Sequence, residues 1–421
     1  MTQTVCILGR QPALGLAELE SLYGADKIRP ISTLAALIDV NPPMIDFSRL
    51  GGTVKFCKVL TTLDTTSWPQ VQKFLEKNVA PHAANMPEGK MKLGLSLYGL
   101  NVNVNHINAT GLSIKKVVKA TGRSIRVVPN KEHALNSAQV LHNQLTSALG
   151  WELVFIRDGD KTIVAQNIAE QDIEAYSRRD QGRPMRDARV GMLPPKLAQI
   201  IINLASGKVD ERGEWSGESG ETKATLNCGA PHSPLLTPAG RPVVVLDPFC
   251  GTGVLLQEAM LMGYQAYGTD LEPRMIDYSR TNLEWLKSGH RLSASDYQLA
   301  PGDATDFRWT PFDIVACETY LGRPFSTLPS PGDLDKTIQD CNVIHRKFLQ
   351  NILGQAKPGT RLCLAVPAWK TPHGFKHLPT LDSLTDMGYN RLSLVHASRE
   401  DLIYHREGQI VARELVILQK I

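Results

Sequence analysis

The sequence predicts an α/β protein: a compact α+β region of ferredoxin-like type, followed by a doubly wound, mostly parallel sheet. Three observations carry this. A β-branched apolar run at 243–246 ends in Asp247, and a turn holding Gly251 and Gly253 leads into an apolar-periodic segment through Met262. Strand-like and helix-like patterns then alternate to residue 366, which specifies a parallel sheet with helices on its faces. The chain closes on two strand-like segments, 391–398 and 411–419, around a polar turn.

The bulk numbers bound the possibilities. At 421 residues the chain predicts two or three domains. Hydrophobic residues are 42% and charged residues 21%, a globular balance. No apolar run is long enough to span a membrane, and the start lacks the basic-then-apolar pattern of a secretory signal. The seven cysteines are scattered without a Cys-x-x-Cys pair. That excludes zinc fingers, iron–sulfur sites and a disulfide scaffold, so no metal and a reducing, cytoplasmic compartment are expected. A net charge of +4 permits a nucleic-acid partner without requiring one.

In order, 5–8 reads as a strand, 14–23 as a helix, 28–31 and 34–40 as paired strands, 54–60 as a strand and 68–78 as a helix. Residues 91–98 read as a strand, 111–120 as a helix, 123–128 as a strand and 136–149 as a helix. Residues 151–156 and 161–168 form a hairpin around Asp158-Gly159-Asp160. Lys115, Lys116, Lys119, Arg123 and Arg126 cluster here. They suit RNA phosphates, but a solvated helix face is the more usual meaning of such a charge run.

The segment 175–189 carries five arginines, among them Arg178, Arg179, Arg183 and Arg186. Arginines among polar residues suit phosphate contacts; pairing with Asp180 and Asp187 is the other reading. Pro194-Pro195 then starts a helix through 205. Residues 206–241 are polar and read as a flexible insertion.

Beyond the glycine turn, a second strand at 265–269 ends in Asp270, and a helix spans 273–286. A third strand at 297–300 precedes Gly302-Asp303-Ala304, and a fourth at 312–317 runs into Glu318-Thr319-Tyr320-Leu321-Gly322-Arg323. Helices at 337–353 and 378–387 flank a fifth strand at 361–366. Ligands of open α/β sheets bind outside the carboxyl ends of the strands. Asp270, 23 positions after Asp247, is placed to hold ribose hydroxyls, although an Asp there also suits a helix cap. Asp303 is placed to hold an adenine amino group. The turn has no third glycine, unlike the dinucleotide fingerprint. Asp-Pro-x-x-Gly-x-Gly with two later acids is instead the arrangement of S-adenosyl-L-methionine (SAM) enzymes. The expected SAM-binding set is Asp247, Pro248, Cys250, Gly251, Gly253, Asp270, Leu271, Asp303 and Ala304.

Asp247 to Gly253 with Gly268-Thr269-Asp270 resembles the catalytic domain of the THUMP-containing tRNA guanosine-N2 methyltransferases. So do Arg178-Arg179-Asp180, Arg183-Pro184-Met185-Arg186-Asp187 and Gly191-Met192-Leu193-Pro194-Pro195-Lys196-Leu197-Ala198-Gln199, which are similar to the interdomain segment of the archaeal-type enzymes. Residues 136–144 and 7–19 extend the likeness. It implies a class I methyltransferase domain at 193–421 with a seven-stranded sheet and a terminal antiparallel hairpin. Before it would come a ferredoxin-like domain at 1–60, a tRNA-gripping THUMP domain at 61–172 and an Arg-rich linker at 173–192. The implied activity is methylation of the N2 of a tRNA guanosine at position 10, and under it the 115–126 cluster becomes an RNA surface.

The family carries Asp-Pro-Pro-Tyr where this chain has Glu318-Thr319-Tyr320-Leu321. An exocyclic guanine amine is a poor nucleophile, because its lone pair is delocalised. A carboxylate and a backbone carbonyl that hold its hydrogens turn the lone pair outward, and positioning supplies the acceleration. Glu318 is the expected acceptor, with a carbonyl near Thr319 as the second and Tyr320 as the ring that stacks the flipped base. Two alternatives stand beside this: a non-catalytic tRNA-binding protein, perhaps a subunit of a larger assembly, and a methyltransferase of DNA amines or protein amides.

Overall fold

The computed structural model describes residues 3–40, 42–187, 192–208, 235–237, 240–290, 292, 296–325, 327 and 329–421. Most of the expected 206–241 insertion lies outside them. The chain forms two units: residues 1–12, 26–47 and 53–175, and residues 13–25, 48–52 and 176–421.

The chain opens with β1 (Thr4–Leu8) and α1 (Pro12–Tyr23), then β2 (Ile28–Ser32), β3 (Ala35–Ile38), β4 (Thr53–Leu63), α2 (Trp68–Asn85), β5 (Met91–Tyr98) and α3 (Val104–Ala120). After them come β6 (Ile125–Val127), α4 (Ser137–His142), β7 (Gly150–Asp158), β8 (Lys161–Glu170) and α5 (Ile173–Gln181). The first unit is built on one eight-stranded sheet, ordered β2-β3-β1-β4-β8-β7-β5-β6. Helices α2 and α3 cover it through Val71, Leu75, Ile107 and Ile114, packed on Leu93, Leu95 and Phe155.

This sheet corrects two expectations. A boundary at residue 60 falls inside β4, which pairs with β8 from Lys55↔Glu170 to Leu63↔Thr162. The strands of 1–60 and of 61–172 are therefore one sheet, not two domains. Helix α1 is also missing from this unit, because its residues cluster with the second. The helix expected over 136–149 stops at His142. An Asn136–Gln139 capping box starts it, but Gln144 takes a left-handed φ of 53° that no helix continues. The hairpin turns on Gly159, with φ 59° and Asp158 opposite Lys161, as a two-residue loop requires.

The second unit adds α6 (Pro195–Ser206), β9 (Val244–Asp247), α7 (Val254–Leu261), β10 (Gln265–Asp270), α8 (Pro273–Gly289), β11 (Tyr297–Pro301), β12 (Ile314–Glu318) and α9 (Pro331–Leu353). It ends with β13 (Arg361–Thr371), β14 (Gly374–Lys376), β15 (Tyr389–Arg391), β16 (Ile403–Tyr404) and β17 (Val411–Lys420). The path is β11-β10-β9-β12-β13-β17-β15. Its first five strands are parallel, and β17 returns antiparallel to β13. This is the doubly wound sheet the sequence predicts.

Three details differ. Short β14 and β16 raise the strand total of this sheet to nine among the described residues. Only a 3-10 turn, Pro379–Ser383, forms where a helix over 378–387 was expected. The closing pair is limited to Tyr389–Arg391 on β17, because the chain then leaves the sheet. Val395 N and His396 N donate instead to Glu20 of α1, at 2.6 and 2.8 Å.

Helix α1 is anchored inside this unit by another buried acid. Glu18 accepts from Gly51 N and Gly52 N, both at 2.9 Å, and from Asn203 Nδ2 of α6 at 2.8 Å. Burial still pushes its carboxyl up to about 7.

Candidate active site

At the carboxyl edge of the second sheet lies a cavity of about 660 Å³. Its floor is the turn after β9. Gly251 and Gly253 take φ values of 51° and 81°, and a Cβ on Gly253 would lie 2.9 Å from Ser279 Oγ. The turn is held by Gly253 N donating to Cys250 O at 2.8 Å and Ser279 Oγ donating to Gly251 O at 2.8 Å.

Strand ends supply the acids. Asp247 is 3% exposed, and its Oδ1 accepts from Phe249 N at 3.1 Å. Its other oxygen has no hydrogen-bond partner among the described residues, and burial pushes the carboxyl well above its ordinary range. Asp270 Oδ2 accepts from Gly251 N at 2.9 Å and Oδ1 from Glu272 N at 3.0 Å. Burial raises this carboxyl too. Asp303 Oδ1 accepts from Thr305 N at 2.9 Å.

Glu318 ends β12 on the same cavity, as do Thr319 and Tyr320. Thr319 is buried, and its Oγ1 lies 2.6 Å from His345 Nε2. Burial drops the imidazole to about 4, so it is neutral, and its Nδ1 donates to Cys341 O at 2.7 Å. That tautomer leaves Nε2 as an acceptor for the Thr319 hydroxyl, so the Thr319 side chain is spent on structure. Tyr320 is 41% exposed.

Of the SAM-binding set expected from the sequence, Asp247, Pro248, Cys250, Gly251, Asp270, Leu271, Asp303 and Ala304 line the cavity together; Gly253 does not. Gly253 instead shapes the turn behind it. Sequence reasoning gave no binding role to Leu193, Thr252 and Ile344, which also line the wall; the first two lie inside quoted motifs, and Ile344 carries none. It also missed Arg413, whose Nε donates to Glu318 Oε1.

The basic residues divide. In the first unit Lys116, Lys119 and Arg126 are exposed and Lys115 half-buried. Arg123 is withdrawn from this surface: its guanidinium donates to Ala83 O, Met86 O and Pro87 O, capping the end of α2. In the second unit Arg178 and Arg186 are exposed. Arg179 pairs with Glu258, and Arg183 is 2% exposed, so neither lies on an RNA-facing surface. Asp187 pairs with Arg274 at 3.1 Å.

A family model described as a methyltransferase domain matches residues 241–399. The tRNA (guanine(10)-N2)-dimethyltransferase of Methanothermobacter thermautotrophicus is 25% identical over 230 residues, 54% of this chain and 51% of that one. Its namesake from Pyrococcus abyssi is 24% identical over 271 residues, 61% of this chain and 66% of that one. The chain is thus similar in sequence to two tRNA (guanine(10)-N2)-dimethyltransferases over part of its length. It spans between half and two-thirds of the length of these two relatives. The crystal structure of TrmN from Thermus thermophilus overlays with a TM-score of 0.49 at 16% identity, covering all of both chains.

S-adenosyl-L-methionine is the methyl donor of such a domain, and the residues present fit it. The donor is cationic at its sulfonium and ammonium, and the cavity offers a buried acid, Asp247, with no cationic partner among the described residues. No helix among the described residues is long and apolar enough to cross a membrane, and those residues hold no cluster of metal-ligating side chains.

Proposed function

We propose that the protein is a SAM-dependent tRNA methyltransferase acting on the exocyclic N2 of a guanosine, at position 10 as in the names of its relatives. The carrying observation is one cavity shared by three strand-end acids and, at the end of the neighbouring strand β12, Glu318 and the exposed Tyr320. SAM supplies an electrophilic methyl group.

This chain's residues do the rest. Asp270 keeps lone pairs for the ribose hydroxyls beyond the two backbone amides it accepts. Asp303 and the Ala304 backbone hold the adenine, and Asp247 offsets the positive methionine end. At the end of β12, Glu318 Oε2 and the Thr319 carbonyl accept the two amine hydrogens. Neither acceptor has a hydrogen-bond partner among the described residues. The amine lone pair then points at the methyl group, and the Tyr320 ring stacks the flipped guanine.

In the first unit Lys115, Lys116, Lys119 and Arg126 contact tRNA phosphates in a THUMP-like role, and Arg178 and Arg186 of the second do the same. The reading places the protein in the cytoplasm with its substrate; Cys57, Cys250, Cys317, Cys341 and Cys363 are free thiols, consistent with a reducing compartment.

The test is incubation with labelled SAM and unmodified tRNA transcripts, then nucleoside analysis. N2-methylguanosine or its dimethyl form at position 10 is expected. Tight tRNA binding without product overturns this reading in favour of a non-catalytic binder. Full methyl transfer by Glu318→Ala or Tyr320→Ala removes those residues from it.

A further inference from the structure

We infer that Arg413 is a positioning residue for methyl transfer, tying down one oxygen of Glu318 so that the other is presented to the guanine amine. The inference rests on the function proposed above and adds a residue to it.

The register explains the contact. Glu318 of β12 lies opposite Ala365 of β13, and Pro367 of β13 lies opposite Arg413 of β17. Residues two apart on a strand share a face. Glu318, Ala365, Pro367 and Arg413 therefore stand on one face of the sheet. The two residues between the charges are small and buried, so the arginine reaches across β13, and its Nε meets Glu318 Oε1. Arg413 does not line the cavity, whereas Glu318 does. The two side chains are 8% and 15% exposed, well shielded from the water that weakens surface ion pairs.

The pairing answers a problem this chain sets itself. Glutamate has one more rotatable bond than the aspartate of the family motif, so its carboxylate sweeps a wider arc. A carboxylate that must accept a particular hydrogen needs that freedom removed. A guanidinium on one oxygen does so and leaves Oε2 free. The neighbouring Glu414 is on the opposite face, where Arg391 and His377 hold it, so it does not compete for Arg413.

The groups around Glu318 are few. Asp247 from β9 is close enough to feel its charge, and so is the Cys317 thiol, which burial pushes up. His345 of α9 is neutral and reaches Glu318 only through Thr319. Asp270, Asp303, Glu272 and Arg323 line the same cavity. Arg413 is the cation in direct contact with Glu318, against a second acid at Asp247.

The test compares wild type with Arg413→Met and Arg413→Lys in single-turnover transfer to unmodified tRNA at saturating concentrations, alongside calorimetric SAM binding and tRNA binding. In Arg413→Met the Glu318 carboxyl loses the partner that holds one of its oxygens. The single-turnover rate falls about tenfold or more, while SAM and tRNA affinity hold. Arg413→Lys keeps a donor on Glu318 and restores part of the rate, because one ammonium orients a carboxylate less well than a guanidinium.

Glu318→Asp is the second variant, for use if Arg413→Met does not fold. Its shortened carboxylate stands off from Arg413, and the same loss of rate with affinity held is expected. Rate and affinity lost together with Lys no better than Met, or a Glu318→Asp enzyme that matches wild type throughout, overturn the inference. Wild type that transfers no methyl group to any transcript overturns instead the proposed function, a separate outcome.

Discussion

Arg179 grips Glu258 with two nitrogens: Nε donates to Oε1 at 2.7 Å and an Nη to Oε2 at 3.2 Å. The Glu258 side chain is fully buried and that of Arg179 12% exposed, and the guanidinium also lies over the Tyr176 ring. Burial raises the Glu258 carboxyl, and Arg179 pulls it back toward the ionised form. Removing the arginine strands a carboxylate in the α7 interior. Arg179→Ala is expected to lower unfolding stability by about 3–5 kcal/mol, read by urea denaturation. A variant as stable as wild type but weaker for tRNA would return Arg179 to the RNA surface.

Lys116 and Lys119 should behave in the opposite way. Both are exposed on α3, and no intramolecular ion pair is found for either among the described residues. Lys116→Ala with Lys119→Ala is expected to leave the melting temperature unchanged. Across a salt series, tRNA affinity should weaken and the slope of log affinity against log salt become shallower by about 2. Unchanged slope with unchanged affinity would mean that this face is merely solvated.

Asp270 ties the glycine turn to the proposed ribose site. Asp270→Ala orphans Gly251 N and removes a charged acceptor of the ligand. SAM affinity is expected to fall by about 2–3 kcal/mol, roughly 30- to 150-fold, in titration calorimetry. Retained affinity would show that the donor lies elsewhere in the cavity.

Glu18 predicts a pH dependence. Its folded value of about 7 lies above the ordinary 4.5, so the folded state holds this proton more tightly than the unfolded chain. The associated stability is complete below about 4.5 and is lost as the pH rises through about 7, a difference of about 3 kcal/mol. Glu18→Gln should flatten that part of the stability profile, measured by denaturant titration at a series of pH values. An identical slope in the variant would assign it to other groups.

What was legible in the sequence is what neighbouring residues decide. The run into Asp247, the glycines after it and the acids ending β10 and β11 are local patterns, because strand period and turn chemistry act over a few residues. They located the sheet, its doubly wound order and the cavity. The contacts that sort the charged residues are not local. Arg179 finds Glu258 79 positions away, Arg123 caps α2 from 36 to 40 positions away, and Arg413 meets Glu318 across 95. A basic residue looks the same in sequence whether it faces phosphate or a buried carbonyl; desolvation and pairing in the folded chain separate the two. The same holds for α1, whose helical spacing was plain. Its place beside α6 depends on Glu18 meeting Asn203, which only the tertiary fold brings together. The chain alone thus determined the glycine cradle and the acids around it, while packing over long sequence separations decided which charges are spent inside the fold and which stay exposed.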